Sequence, residues 1–224
     1  MRRLFHYPLS GLSRAVRVIL AEKHLDYEMV YEAPWNPSDE LIENNISGEV
    51  PTLIDTNGII TYGSSAIREY LDEVYPDIPL VGTDYQQRAE ARTIADWANS
   101  SFYRDVYHPV IHERILKRFI KEVDKRPDPA CIREAGMKLN NHMEYIAWLV
   151  DRRNWLAGKE FSIADIATAS LLSVLDYLGI IQWHKYELVK SWYVRIKSRP
   201  SFRSILQDNV PQIPPASNYA NLDF

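Results

Sequence analysis

Gly48 to Leu71 reads GEVPTLIDTNGIITYGSSAIREYL, and this stretch decides how the chain folds. Thr52 to Asp55 is a short apolar strand, Asn57-Gly58 is the dipeptide favoured in two-residue hairpin turns, and Ile59-Ile60 begins the returning strand. Gly63, Ser64 and Ser65 then open a helix, because Ile67, Tyr70, Leu71 and Val74 recur at the spacing of one helical face. The free N–H groups and positive dipole end of that helix favour a carboxylate or a phosphate. Pro51 lacks a ladder donor, so Val50 keeps its own N–H and C=O available to an incoming main chain. The unit reads as a binding edge for a peptide-like molecule.

Upstream, Leu4-Phe5-His6 reads as a strand, and Ser10-Gly11-Leu12-Ser13 as a turn into a helix with Val16, Ile19 and Leu20 on one face. Tyr27 to Tyr31 is a second strand, so the order becomes βαβ-ββα. Pro76, Pro79 and Gly82 break the pattern. Beyond Asp84 the apolar stripes are helical, first Ile94, Trp97, Ala98 and Ser101, later Met143, Ile146, Ala147 and Val150. The expected organisation is an α/β domain over 1–80, an all-helical domain over 84–206 and an extended segment over 207–224. In Phe161-Ser162-Ile163-Ala164-Asp165-Ile166, Ser162 and Asp165 have capping-box spacing and Phe161 can staple onto Ile166. The residues that follow, to Leu178, are apolar on nearly every face, which predicts a buried central helix.

At 224 residues and 46% hydrophobic content the chain can bury a full core. With 26 basic and 30 acidic residues it carries no global field that would recruit nucleic acid or anionic lipid. Neither a signal segment after Met1-Arg2-Arg3 nor a run of about 18 apolar residues is present, so no membrane insertion and a cytoplasmic location are expected. The single Cys131 reads as an incidental small residue, and no metal site is read. Trp35, between Pro34 and Pro37, lies in a stiff loop expected to be exposed, where it suits a protein-contact anchor; packing over a domain seam or lining a pocket are the other readings. The segment from Asn209 ends on Tyr219, Leu222 and Phe224, which favours docking on the body or on a partner. Arg195, Lys197, Arg199 and Arg203 read as a solvated basic stripe on the last long helix, or as a steering patch for an acidic partner.

Val50-Pro51 before a strand and hairpin, then Ser64-Ser65-Ala66-Ile67-Arg68-Glu69-Tyr70-Leu71, resembles the glutathione site of the glutathione transferase superfamily. The resemblance implies a thioredoxin-like N-terminal domain, a helical C-terminal domain, a cis Pro51, and a glutathione groove including Val50, Pro51, Ser64 and Ser65. It also implies that Ser10, with Ser13 as the weaker candidate, supplies the hydroxyl that favours a thiolate. One departure is plain: the superfamily usually places Glu or Gln before Ser64, and this chain has Gly63.

Ser101-Phe102-Tyr103, Trp155-Leu156-Ala157-Gly158, Leu175-Asp176-Tyr177-Leu178-Gly179 and Asn218-Tyr219-Ala220-Asn221-Leu222-Asp223-Phe224 are similar to one branch of that superfamily, the FtsZ-localised protein A group of alphaproteobacterial division proteins. That resemblance implies a homodimer that binds FtsZ polymer at the division site, through a surface including Trp35 and Tyr219, Asn221, Leu222, Asp223 and Phe224. It also implies that glutathione chemistry is not the main activity. The alternative is a glutathione transferase acting on a small electrophile through Ser10. Arg88, Arg92 and Asp96 lie on the helix that this fold uses for dimers.

Overall fold

A computed structural model of the chain describes residues 1–120 and 124–222. The N-terminal domain runs β1 (Arg3–His6), α1 (Gly11–Glu22), β2 (Glu28–Tyr31), α2 (Asp39–Asn44), β3 (Thr52–Ile54), β4 (Ile60–Tyr62) and α3 (Ser64–Val74). Its sheet has the order β2-β1-β3-β4, with β1 parallel to β2 and antiparallel to β3. This is the expected thioredoxin-like βαβ-ββα arrangement, with α2 in addition. Sequence reading passed over α2 although its signals are local: Ser38 caps it by accepting from the Leu41 N–H at 3.1 Å, and Asp39 and Glu40 fill its first turn.

The hairpin differs from expectation by one residue. Asp55 N–H bonds the Ile59 carbonyl at 2.9 Å and Gly58 N–H bonds the Asp55 carbonyl at 3.0 Å, so the loop is Thr56-Asn57-Gly58. Gly58 has φ 82°, the left-handed residue that closes a three-residue loop. A two-residue turn would have moved the β4 side chains to the opposite face.

The named elements beyond Asp84 are helical: α4 (Tyr85–Trp97), α5 (His108–Arg114), α6 (Pro129–Arg152), α7 (Ile163–Tyr177), α8 (Glu187–Lys197) and α9 (Arg203–Leu206), with three short 3-10 turns. A π-helical stretch, Ala98–Tyr107, joins α4 to α5 and ends with His108 N–H bonded to the Tyr103 carbonyl. All residues of α7 are buried, as its composition requires. Its capping box is present, and Asp165 also accepts from Leu156 N–H and Trp192 Nε1–H, each at 2.9 Å. Burial pushes the Asp165 carboxyl up to about 6 against the pull of those bonds. Phe161 packs edge-to-face on Trp155 at 5.0 Å.

The two domains meet where α1 lies against α7. A Cβ on Gly11 would sit 2.7 Å from Leu171 Cδ2 and 3.0 Å from Leu171 Cα, so glycine sets the approach of the two helices. Two turns of α1 carry the buried Arg14 and Arg17, both paired with Asp208. The expected basic stripe on α8 is dispersed. Lys197 is fully enclosed, Arg199 is bidentate to Glu22 at 2.7 Å, and Arg195 lies over the Trp155 ring, because each long side chain folds inward onto an acceptor or a ring. Arg195 and Arg203 are the two of the four that stay exposed.

Candidate functional site

A cleft of about 410 Å³ opens between the domains, lined among others by Tyr7, Ser10, Val50, Tyr103, His108 and Ile111. Ser10 is half-buried at its floor, and its Oγ accepts the Ser13 N–H at 3.2 Å as the N-cap of α1. The hydroxyl can still donate into the cleft, because a capping Oγ accepts and leaves its own proton free. Ser13 is fully buried and is not among the lining residues, so the weaker candidate is corrected: one turn into α1, its hydroxyl faces the packed interior.

Val50-Pro51 is cis, as the resemblance implied. Gly63 N–H donates to the Pro51 carbonyl at 3.0 Å, which brings the start of α3 beside Val50. Ser64 is buried, Ser65 is exposed, and no side chain caps α3. The cap position is Gly63 at φ 79°, where a side chain would be strained although space is open around it. Val50 and Ser10 thus share one cleft, while Pro51, Ser64 and Ser65 are not among its lining residues.

Four residues that sequence reading missed complete the site. Tyr107, from the helical domain, donates its hydroxyl to the Leu9 carbonyl at 2.8 Å and accepts the Gly11 N–H at 2.7 Å, so it fixes the turn that holds Ser10. Tyr7 is buried with no hydrogen-bond partner for its hydroxyl among the described residues, and burial raises its pKa far out of the physiological range. Tyr103 is raised by burial, and His108 is lowered by burial and then by His112. Tyr7, Tyr103 and His108 thus face the cleft as neutral groups, in a lining that also includes the carboxyl side chain of Glu49. Only the position of Tyr7 after β1 offered a local signal; the other three come from residues about a hundred positions away.

Trp35 is half-buried, which corrects the expected exposure. Its ring stacks on Phe119 with centroids 3.7 Å apart and planes at 4°, and meets Tyr7 edge-to-face at 5.5 Å. Packed against Phe119 of the helical domain, Trp35 covers the domain seam with one face and keeps partial exposure. Glu113 braces that segment by accepting from Lys117 Nζ and Asp128 N–H, both at 2.7 Å; these bonds, Lys117 first, draw its carboxyl down to about 2.

Tyr219 is buried, and this too is a correction: its ring packs edge-to-face on Tyr177 at 5.1 Å and cannot be a contact surface. Asn221 and Leu222 are exposed, while Asp223 and Phe224 lie outside the described residues. A larger cavity of about 770 Å³ lies between the interdomain connection and the loop carrying Trp155 and Phe161, and none of the expected site residues lines it.

Residues 4–79 match the model of the glutathione S-transferase N-terminal domain and residues 103–200 that of its C-terminal domain. FtsZ-localized protein A of Caulobacter vibrioides is 38% identical over 226 residues, covering 100% of this chain and 98% of that protein. A crystal structure of a glutathione S-transferase from Rhodospirillum rubrum superposes with TM-score 0.95 at 44% identity, covering both chains fully. The structure of FzlA from C. crescentus gives TM-score 0.95 at 38% identity, covering 100% of this chain and 99% of the other. The chain belongs to the glutathione S-transferase family and, within it, is similar along its whole length to FtsZ-localized protein A.

Proposed function

We propose that this protein is a glutathione S-transferase-fold division protein that binds FtsZ polymer as a homodimer, with glutathione conjugation not its main activity. The observation that carries the reading is the full-length similarity to a relative named for its localisation to FtsZ. Gly63 agrees with it, since the charged acceptor for an amino group is absent there. A charge-assisted hydrogen bond contributes about 1.5–3 kcal/mol, so its loss weakens peptide binding by roughly ten- to a hundred-fold.

The partner surface combines the outer part of Trp35 with the exposed Asn221 and Leu222 and the two residues that follow. Dimerisation uses the α4 face of Arg88, Arg92 and Asp96, next to the ion pair of Arg92 with Glu69 at 2.8 Å. A twofold dimer presents two copies of the surface and can bridge neighbouring filaments. The site of action is the cytoplasmic face of the division zone.

Co-sedimentation with FtsZ polymer tests the reading. Wild type should pellet with polymer and Trp35→Ala should lose most of that binding while its circular dichroism stays native. A wild-type protein that stays in the supernatant overturns the proposal. The favoured alternative is glutathione transfer, because Ser10 keeps a donor proton in the cleft beside Val50. Calorimetric titration with glutathione through the millimolar range, and turnover of an electrophilic substrate by Ser10→Ala, decide it.

A further inference from the structure

Residues 208–221 contain no helix or named strand, yet they are pinned at successive points. Asp208 meets Arg14 and Arg17, Val210 N–H reaches the Tyr177 hydroxyl at 3.0 Å, and that hydroxyl donates to the Ile213 carbonyl at 2.6 Å. Ala216 N–H then bonds the Tyr177 carbonyl at 2.8 Å, and the Tyr219 hydroxyl donates to the Ile205 carbonyl at 3.1 Å.

The last pin is Lys197. Among the described residues its ammonium meets the Tyr219 carbonyl at 2.6 Å, the Asn221 carbonyl at 2.9 Å and Asp176 Oδ2 at 3.5 Å. Asp176 is itself held by Trp183 Nε1–H at 2.7 Å. Burying an ammonium is costly, and an apolar side chain of the same size would pack there more cheaply. What the charge adds is the fixing of two carbonyls two residues apart. Between and beyond them, Ala220, Asn221 and Leu222 are exposed.

We propose that Lys197 is a positioning residue, which clamps the backbone of Tyr219 and Asn221 so that Ala220, Asn221 and Leu222 form a pre-ordered epitope for the polymer. The proposal rests on the FtsZ reading above. An epitope already ordered in the free protein avoids the entropy loss that a loose segment would suffer on binding.

The pair Asp176→Asn with Lys197→Met tests it, since it removes the two clamping bonds, neutralises both members of the Asp176–Lys197 pair together and keeps an acceptor for Trp183. Hydrogen exchange of the Tyr219 and Asn221 amides should quicken about tenfold or more, and polymer binding should weaken by about tenfold. Leu222→Asp should weaken binding without changing that exchange. Unchanged exchange in the double variant sinks the clamp, and faster exchange with undiminished polymer binding sinks the presentation role. Should the double variant fail to fold, the wild type still decides: random-coil exchange at those two amides overturns the proposal. Absence of polymer binding by wild type, with exchange slow and clamp-dependent, isolates the failure to the FtsZ reading and removes the epitope role with it.

Discussion

Replacing Tyr107 by Phe removes one oxygen and disconnects two buried backbone groups from different sides of the same turn. The hydroxyl is the donor for the Leu9 carbonyl and the acceptor for the Gly11 N–H, and both bonds are buried. Leaving a buried polar group unsatisfied costs about 1–3 kcal/mol, and the carbonyl tolerates it better than the N–H. Allowing for local relaxation, we expect a loss of about 3 kcal/mol, which for a chain of this size lowers Tm by about 6–12 °C. Urea unfolding followed by circular dichroism measures it directly. Tyr7→Phe is the internal control, for it removes a buried hydroxyl that has no partner among the described residues. That change should stay within about 0.5 kcal/mol of wild type. Equal stabilities for the two variants would refute the reasoning, because the only relevant difference between them is whether the lost oxygen was bonded.

Gly11→Ala should destabilise by about 1–3 kcal/mol, since the new methyl meets the Leu171 backbone as well as its side chain and the helices must separate; a neutral result in thermal unfolding contradicts this. Phe119→Ala removes the ring stacked on Trp35 and should cost about 1–2 kcal/mol in urea unfolding; no loss would mean that the stack does not hold the seam. His6 is pushed down to about 3 by burial and then by Arg17 and Arg14, so the native state excludes a proton that the unfolded chain binds near 6.5. Its contribution is whole above pH 6.5 and falls by about 1.4 kcal/mol per unit as the pH drops toward 3. Asp165, raised to about 6, acts in the opposite sense: the folded carboxyl takes its proton first, so stability grows as pH falls from 6 toward 4. The two slopes oppose each other between about pH 4 and 6. His6→Gln should therefore gain on wild type by about 1 kcal/mol for each unit of acidification below 6.5, and parallel profiles from urea titrations at pH 7, 6 and 5 would rule this out.

What could be read from the sequence followed the range of the forces involved. The capping box at Ser162 and Asp165 was legible because both partners lie within one helical turn. Asn57-Gly58 announced the hairpin, but not that Thr56 joins the loop, since the turn type is set by the bond from Gly58 N–H to Asp55. The βαβ-ββα order was recovered from local pattern, and Val50 and Ser10, the latter named from a family resemblance, line one cleft. The Trp35 loop was read as exposed, with packing over the domain seam left open, because flanking prolines describe the loop and not Phe119, which reaches the ring from the other domain. Tyr219 fits the docking reading of its segment and not the partner-contact one, and the role of Lys197 escaped notice because a lysine on a helix looks solvated until the carbonyls that it binds fold back over it. The role of Tyr107, nearly a hundred residues from the turn it secures, has no local signature.

The bond from Arg17 to Asp208 spans 191 positions. During synthesis the first helix therefore carries two guanidinium groups destined for the interior long before their common carboxylate is made. At about 5–20 residues per second the wait is about 10–40 s. The N-terminal half cannot seal its own interior against the ribosome's pace; α1 must keep those arginines in water, or borrow a counter-ion, until nearly the whole chain has emerged. Nascent chains arrested before residue 208 should stay open to protease in α1, and those arrested well beyond it should close.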